Sequence, residues 1–281
     1  MPYLSRSDGP DLFYKIHDFT DAWKDAPFLI LQHGFGRSSR FWYSWIPYLG
    51  RFYKVLTADL RGLGQSSTDF DLDTGLSVEA FLGDLSAVLD HVGAGRVHYC
   101  GESLGGILGM VFAAECPERL RTLSLLSAPV FINQATQKAF AFDYPTWQEA
   151  MQAMGVEAWA RASNSATRFP ADADPGLREW YAREMGKSKV EVLMALSRLA
   201  TQIDVRSYLG RIQSPVLGLY PSTQATITDD EQERILSDGI SRFTVVHLPT
   251  PYHTIQNLEP AACARQVLYF ASQHDGVPCE D

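Results

Sequence analysis

The chain has 281 residues, 46% of them hydrophobic and 20% charged. That is enough to bury a substantial core in one large domain or a core plus an insertion. Lys and Arg number 24 against 33 Asp and Glu, a formal charge of −9, which argues against nucleic acid or an anionic membrane as a partner. No apolar run approaches the roughly 20 residues needed to span a bilayer.

The polar opening, Met1 to Asp18, has no apolar signal-peptide core, so a cytoplasmic location is the expectation. Phe28–Gln32 is the first continuous apolar run and stops at His33-Gly34-Phe35-Gly36. Tyr53–Asp59 is the second and leads into Leu60-Arg61-Gly62-Leu63-Gly64. Runs at Val97–Cys100, Leu123–Leu126, Val216–Tyr220 and Phe243–Leu248 complete a set of short segments apolar on both sides, as buried parallel strands are.

Amphipathic helices fall between them. Val78, Phe81, Leu82, Leu85, Val88, Leu89 and Val92 repeat at helical spacing over Ser77–Val92. Leu104–Glu115 and Glu259–Ser272 also read as helices, the latter with Pro260 in its first turn. Strand–helix alternation predicts an α/β fold, a mostly parallel sheet with helices on both faces. From 130 to 204 no strand-like run occurs. Helical stretches at Trp147–Ala162 and Leu177–Leu199 are rich in aromatic and Met residues. This part is expected to be a helical lid insertion, with 1–129 and 205–281 forming the core. Trp180 and Tyr181 are candidate substrate contacts beneath it.

The chemistry is expected at Gly101-Glu102-Ser103-Leu104-Gly105, a G-x-S-x-G between strand and helix. Such a turn projects the serine hydroxyl from the sheet, and the glycines leave room for close packing. Serine needs a base to become a nucleophile. His253, in the loop after the last strand, is placed for that role, because α/β sheets carry their sites at the carboxyl ends of strands. The amides of Phe35 and Leu104 are candidate oxyanion donors. His33 reads as a turn organiser. The four scattered cysteines form no CxxC pair and suggest no metal site, and there is no G-x-G-x-x-G or P-loop, so no cofactor is expected.

The order H-G-F-G, D-L-R-G-L-G-x-S, G-E-S-L-G-G, helical insertion, P-Y-H resembles the α/β-hydrolase superfamily over nearly the whole chain. It is most similar to the lid-bearing esterases, enol-lactone hydrolases, lactonases and carbon–carbon bond hydrolases. The resemblance implies Ser103 as nucleophile, His253 as base and Phe35 and Leu104 as amide donors. The implied substrate is a small-molecule ester or lactone; the aromatic lid suggests a bulky, fairly apolar one. A homodimer is a compatible assembly. Carbon–carbon bond cleavage, or ligand reception without catalysis, are alternatives on the same fold.

One element of the pattern is absent. The acid that orients the histidine usually follows the strand at Val216–Tyr220, but Gln224 stands there, and Ser127 stands at the second usual place. The orienting group is therefore sought in Ser127, Gln224 or the acidic cluster beginning at Asp229. Glu102, beside the nucleophile, is expected to point away from it.

Overall fold

The computed structural model describes residues 2–7, 9–222 and 227–279. Eight strands form one sheet in the order β1-β2-β4-β3-β5-β6-β7-β8. They are β1 (Tyr3–Leu4), β2 (Leu12–His17), β3 (Phe28–Gln32), β4 (Lys54–Ala58), β5 (Val97–Glu102), β6 (Leu120–Leu126), β7 (Val216–Pro221) and β8 (Phe243–Leu248). Pairing from β4 to β8 is parallel, and only β1–β2 and β2–β4 are antiparallel.

Residues on successive positions of the central strands serve opposite faces. Ile30, Leu56 and Tyr99 are in register and pack into one core with α2 (Val78–His91) and α3 (Leu104–Glu115), following the short α1 (Ile46–Leu49). Their neighbours Leu29, Leu31, Val55 and Cys100 pack into a second core that includes Trp42, Trp45, Val267 and Leu268. This period of two explains why the central strands read as unbroken apolar runs: each face meets helices, not water. Ser77 caps α2 by accepting the Ala80 N–H at 3.1 Å.

Between β6 and β7 the chain runs through α4 (Gln134–Ala141), α5 (Trp147–Met154), α6 (Val156–Ser163), α7 (Pro175–Gly186), α8 (Val190–Gln202) and α9 (Arg206–Leu209). Its exit and return are joined by a bridge between Phe131 and Asp204 and by the Val205 N–H bonded to the Val130 carbonyl at 3.1 Å. The helical stretches expected at Trp147–Ala162 and Leu177–Leu199 are each built of two helices, α5 and α6, then α7 and α8. Gly155 sits between α5 and α6 with φ 78°, a left-handed geometry that interrupts the ladder and costs glycine nothing. After β7 come α10 (Asp230–Gly239), α11 (Ile255–Leu258) and α12 (Pro260–Asp275). No helix among the described residues is long and apolar enough to cross a membrane.

Candidate active site

Ser103 joins the end of β5 to the start of α3 with φ 53° and ψ −119°. A non-glycine residue rarely holds such a backbone, and the surroundings must impose it. They do so through the Ser103 N–H, bonded to the Leu126 carbonyl of β6 at 3.0 Å. Its own carbonyl accepts from Gly106 and Ile107 at 2.9 and 3.0 Å, starting α3. A Cβ at Gly105 would lie 2.5 Å from the Gln32 carbonyl oxygen, so α3 can approach β3 this closely only with glycine there.

The loop after β3 lies against this turn. His33 accepts the Leu60 N–H on Nε2 at 3.0 Å and donates from Nδ1 to the Gly34 carbonyl at 2.9 Å. These two bonds define a neutral ring tautomer, and burial pushes the His33 pKa below its ordinary value. His33 thus ties its own loop to the one after β4. In that second loop Asp59 accepts from the amides of Ser39 (2.6 Å) and Gln65 (2.8 Å), and Arg61 bonds Asp84 of α2. Among the described residues the Phe35 and Leu104 amides bond no protein acceptor. Both residues line the same cavity as Ser103.

His253 follows β8. Its N–H donates to the Thr167 carbonyl at 3.1 Å, and the hydroxyl of the next residue, Thr254, donates to the Arg168 carbonyl at 2.5 Å. The single π-turn Asn164–Arg168, at the end of α6, is thereby held against the histidine loop. The His253 ring is buried, and its Nε2 lies 3.5 Å from Glu102 Oε1. Burial, then the positive charges of Arg37 and Arg168, hold its pKa well below the ordinary 6.5.

Glu102 has buried partners that its place beside the nucleophile does not announce. Its carboxylate turns under the H-G-F-G loop, with Oε2 against the Arg37 guanidinium and Oε1 toward His253. Both side chains of the Arg37–Glu102 pair are about 1–2% exposed. Arg37 stands one residue beyond the glycine turn, and nothing in the local sequence pairs it with Glu102. Arg168 carried no motif at all. Its guanidinium is fully buried among the rings of Phe140, Trp159 and Tyr181, and burial lowers its pKa to about 10.

Ser103, His253, Phe35, Leu104, Arg37 and Arg168 meet around a small cavity of about 30 Å³. Phe140 of α4 and Trp147 of α5 also line it, and Trp147 packs on Phe35 at 4.7 Å between ring centroids. None of the other expected residues that are described lines this cavity, although Tyr181 lies against Arg37 and Arg168, which do. Trp180 lines a larger outer cleft of about 630 Å³ with Trp42 and Tyr43. Tyr181 is a buried ring packed on Phe41 and Phe169. Asp229 caps α10 by accepting the Gln232 N–H at 3.0 Å and also accepts from Asn133 at 3.3 Å. Ser127 is fully buried after β6 with φ 45°, and its hydroxyl bonds no protein group. Gln224 lies outside the described residues. Among the described residues no three His, Cys, Asp or Glu side chains gather as a metal site.

Comparison with known proteins agrees with this architecture. A family model described as the alpha/beta hydrolase fold matches residues 27–164. A putative carbamate hydrolase RutD from Pseudomonas savastanoi is 29% identical over 92% of this chain and 98% of its own length. The strigolactone esterase RMS3 of Pisum sativum is 26% identical over 88% and 93% of the two chains. The crystal structure of the enol-lactonase from Burkholderia xenovorans superposes with a TM-score of 0.82 at 22% identity, covering 96% of this chain and all of that one.

Proposed function

We propose, for a chain that belongs to the α/β-hydrolase superfamily, that it is a serine hydrolase opening a carboxylic ester or lactone of a small molecule. The observation that carries this reading is the strained Ser103 turn facing the same buried cavity as His253. Strain of this kind concentrates at sites where a side chain must be presented to a substrate.

The chemistry follows from the groups present. His253, kept neutral by burial and two neighbouring cations, takes the Ser103 proton as the oxygen attacks the carbonyl carbon. The amides of Phe35 and Leu104 hold the resulting oxyanion. The tetrahedral adduct collapses, and the alcohol leaves with the proton from His253. Water then attacks the acyl-enzyme, passing its proton to His253, and the acid departs as Ser103 recovers its own. Each time His253 becomes an imidazolium it needs a nearby negative charge, and the Glu102 carboxylate is the one at hand. Glu102 thus supplies the counter-charge in place of the acid missing after β7, across 3.5 Å and without a hydrogen bond to the ring. Phe140, Trp147 and Phe35 supply the apolar walls that support a bulky, largely apolar acyl or alcohol group.

The test is intact mass after exposure to a fluorophosphonate, which bonds an activated serine whatever the natural substrate. One adduct on the wild type, absent in Ser103→Ala and slow in His253→Ala, is expected. A wild-type protein that takes up no reagent at neutral pH overturns the reading. A panel of esters, lactones and carbamates then sorts the bond cleaved.

A further inference from the structure

We infer that Arg168 forms an anion subsite beside Ser103, so that the substrate is an ester or lactone bearing a free carboxylate. This rests on the serine-hydrolase reading and narrows it. Two guanidinium groups, Arg37 and Arg168, border the cavity. Among the described residues only one carboxylate, Glu102, forms an ion pair with either of them, and it is engaged by Arg37. With His253 neutral, the pocket carries one positive charge that no protein group balances, inside a chain whose overall charge is −9.

The surroundings of Arg168 do not satisfy it. A guanidinium offers five N–H donors. Among the described residues its side chain makes one hydrogen bond, from Nη1 to Asn164 Oδ1, which is long, 3.5 Å, while Nε has no partner. The faces of Phe140, Trp159 and Tyr181 stand 5.5, 5.4 and 5.8 Å from its central carbon. Rings in that position favour a cation but accept few of its hydrogen bonds. A buried, under-bonded cation is costly unless something pairs with it. A planar carboxylate matches the guanidinium fork.

The main chain explains why the charge is where it is. Thr254 and His253 bond the carbonyls of Arg168 and Thr167. The anion-binding group and the base therefore keep one spacing, as a substrate held at its acid end and cut at its ester end requires. A neutral substrate needs no such arrangement.

The test compares two esters of similar length, anionic mono-4-nitrophenyl glutarate and neutral 4-nitrophenyl pentanoate, on wild type, R168Q and R168K. Wild type is expected to prefer the anionic ester. R168Q should lose about 10- to 100-fold in kcat/KM on that ester, the worth of a charged hydrogen-bonded pair, while the neutral one changes little. R168K, which keeps the charge without the fork, should fall between. Glutarate binding to Ser103→Ala by calorimetry tests the subsite without turnover. A neutral preference in the wild type, an equal loss on both esters, or glutarate binding that ignores R168Q overturns the inference. Should R168Q not fold, the wild-type preference and glutarate binding decide alone. Absence of fluorophosphonate labelling with Arg168-dependent glutarate binding intact would refute the hydrolase reading and leave the anion subsite standing.

Discussion

Replacing Glu102 by Gln removes a charge shared by two buried partners. On one side it leaves the Arg37 guanidinium, about 2% exposed, with no counter-ion; breaking a buried pair in this way costs about 3–5 kcal/mol of stability. On the other side it removes the carboxylate 3.5 Å from His253 Nε2. At that distance, with an effective dielectric of about 20, a carboxylate and an imidazolium attract by about 5 kcal/mol. If about half of that survives competing interactions, the transition state loses about 2–3 kcal/mol, roughly a 30- to 150-fold fall in kcat. Urea unfolding gives the first quantity, and steady-state hydrolysis at saturating ester gives the second. The double variant R37M/E102M separates them. It should recover most of the stability, because no orphaned charge remains, yet keep the low kcat. A Glu102→Gln protein with wild-type kcat, or a double variant that recovers kcat, would show that Glu102 serves Arg37 alone.

Other outcomes follow from the same geometry. Because burial and two cations depress the His253 pKa, the base stays neutral to pH values below 6.5, and the acid limb of kcat/KM should lie there; R168Q should move that limb to higher pH. The sign for stability is the same: a histidine with a depressed folded pKa stabilises above its unfolded value and loses that contribution as pH falls. The low-pH slope of urea stability should therefore shrink in His253→Gln. Gly105→Ala should fail to give native protein, since its Cβ would meet main-chain oxygen at 2.5 Å; soluble yield and thermal melting report this. Gly83→Ala, mid-helix in α2 with no atom within 4 Å of the new carbon, should raise stability by about 0.5–1 kcal/mol, read from the urea midpoint.

What the sequence allowed one to read divides along physical lines. Central strands and helices were legible because their burial repeats along the chain: the helix expected at Leu104–Glu115 is α3, and that at Ser77–Val92 is α2 within a residue at each end. β2 escaped notice. Leu12–His17 is buried at its first two residues and grows exposed after them, so it shows neither a clean alternation nor an apolar run. The turn at Ser103 was legible because backbone geometry there is enforced by local sterics and spelled out by two glycines. Glu102 was not, because its direction depends on Arg37, a residue 65 positions away whose pairing no local pattern encodes. Arg168 was hidden for the same reason. Its surroundings are assembled from α4, α6 and α7, and single basic residues in helical segments are ordinarily solvated.

The two hydrogen bonds between the π-turn and the histidine loop, one from the His253 N–H and one from the Thr254 hydroxyl, constrain how the cavity can open. A 30 Å³ chamber admits hardly more than a water molecule, so a larger ligand enters only after part of its lining, such as Phe140 or Trp147, has moved. Helices α4 and α5, which carry those rings, are not the part bonded to His253; the stretch 164–168 is. Movement of α4 and α5 alone would leave both bonds, and the His253 loop, in place. An opening that draws the π-turn outward must break both bonds or pull His253 with it. Of these two motions, only the first would open the cavity without disturbing the loop that carries His253.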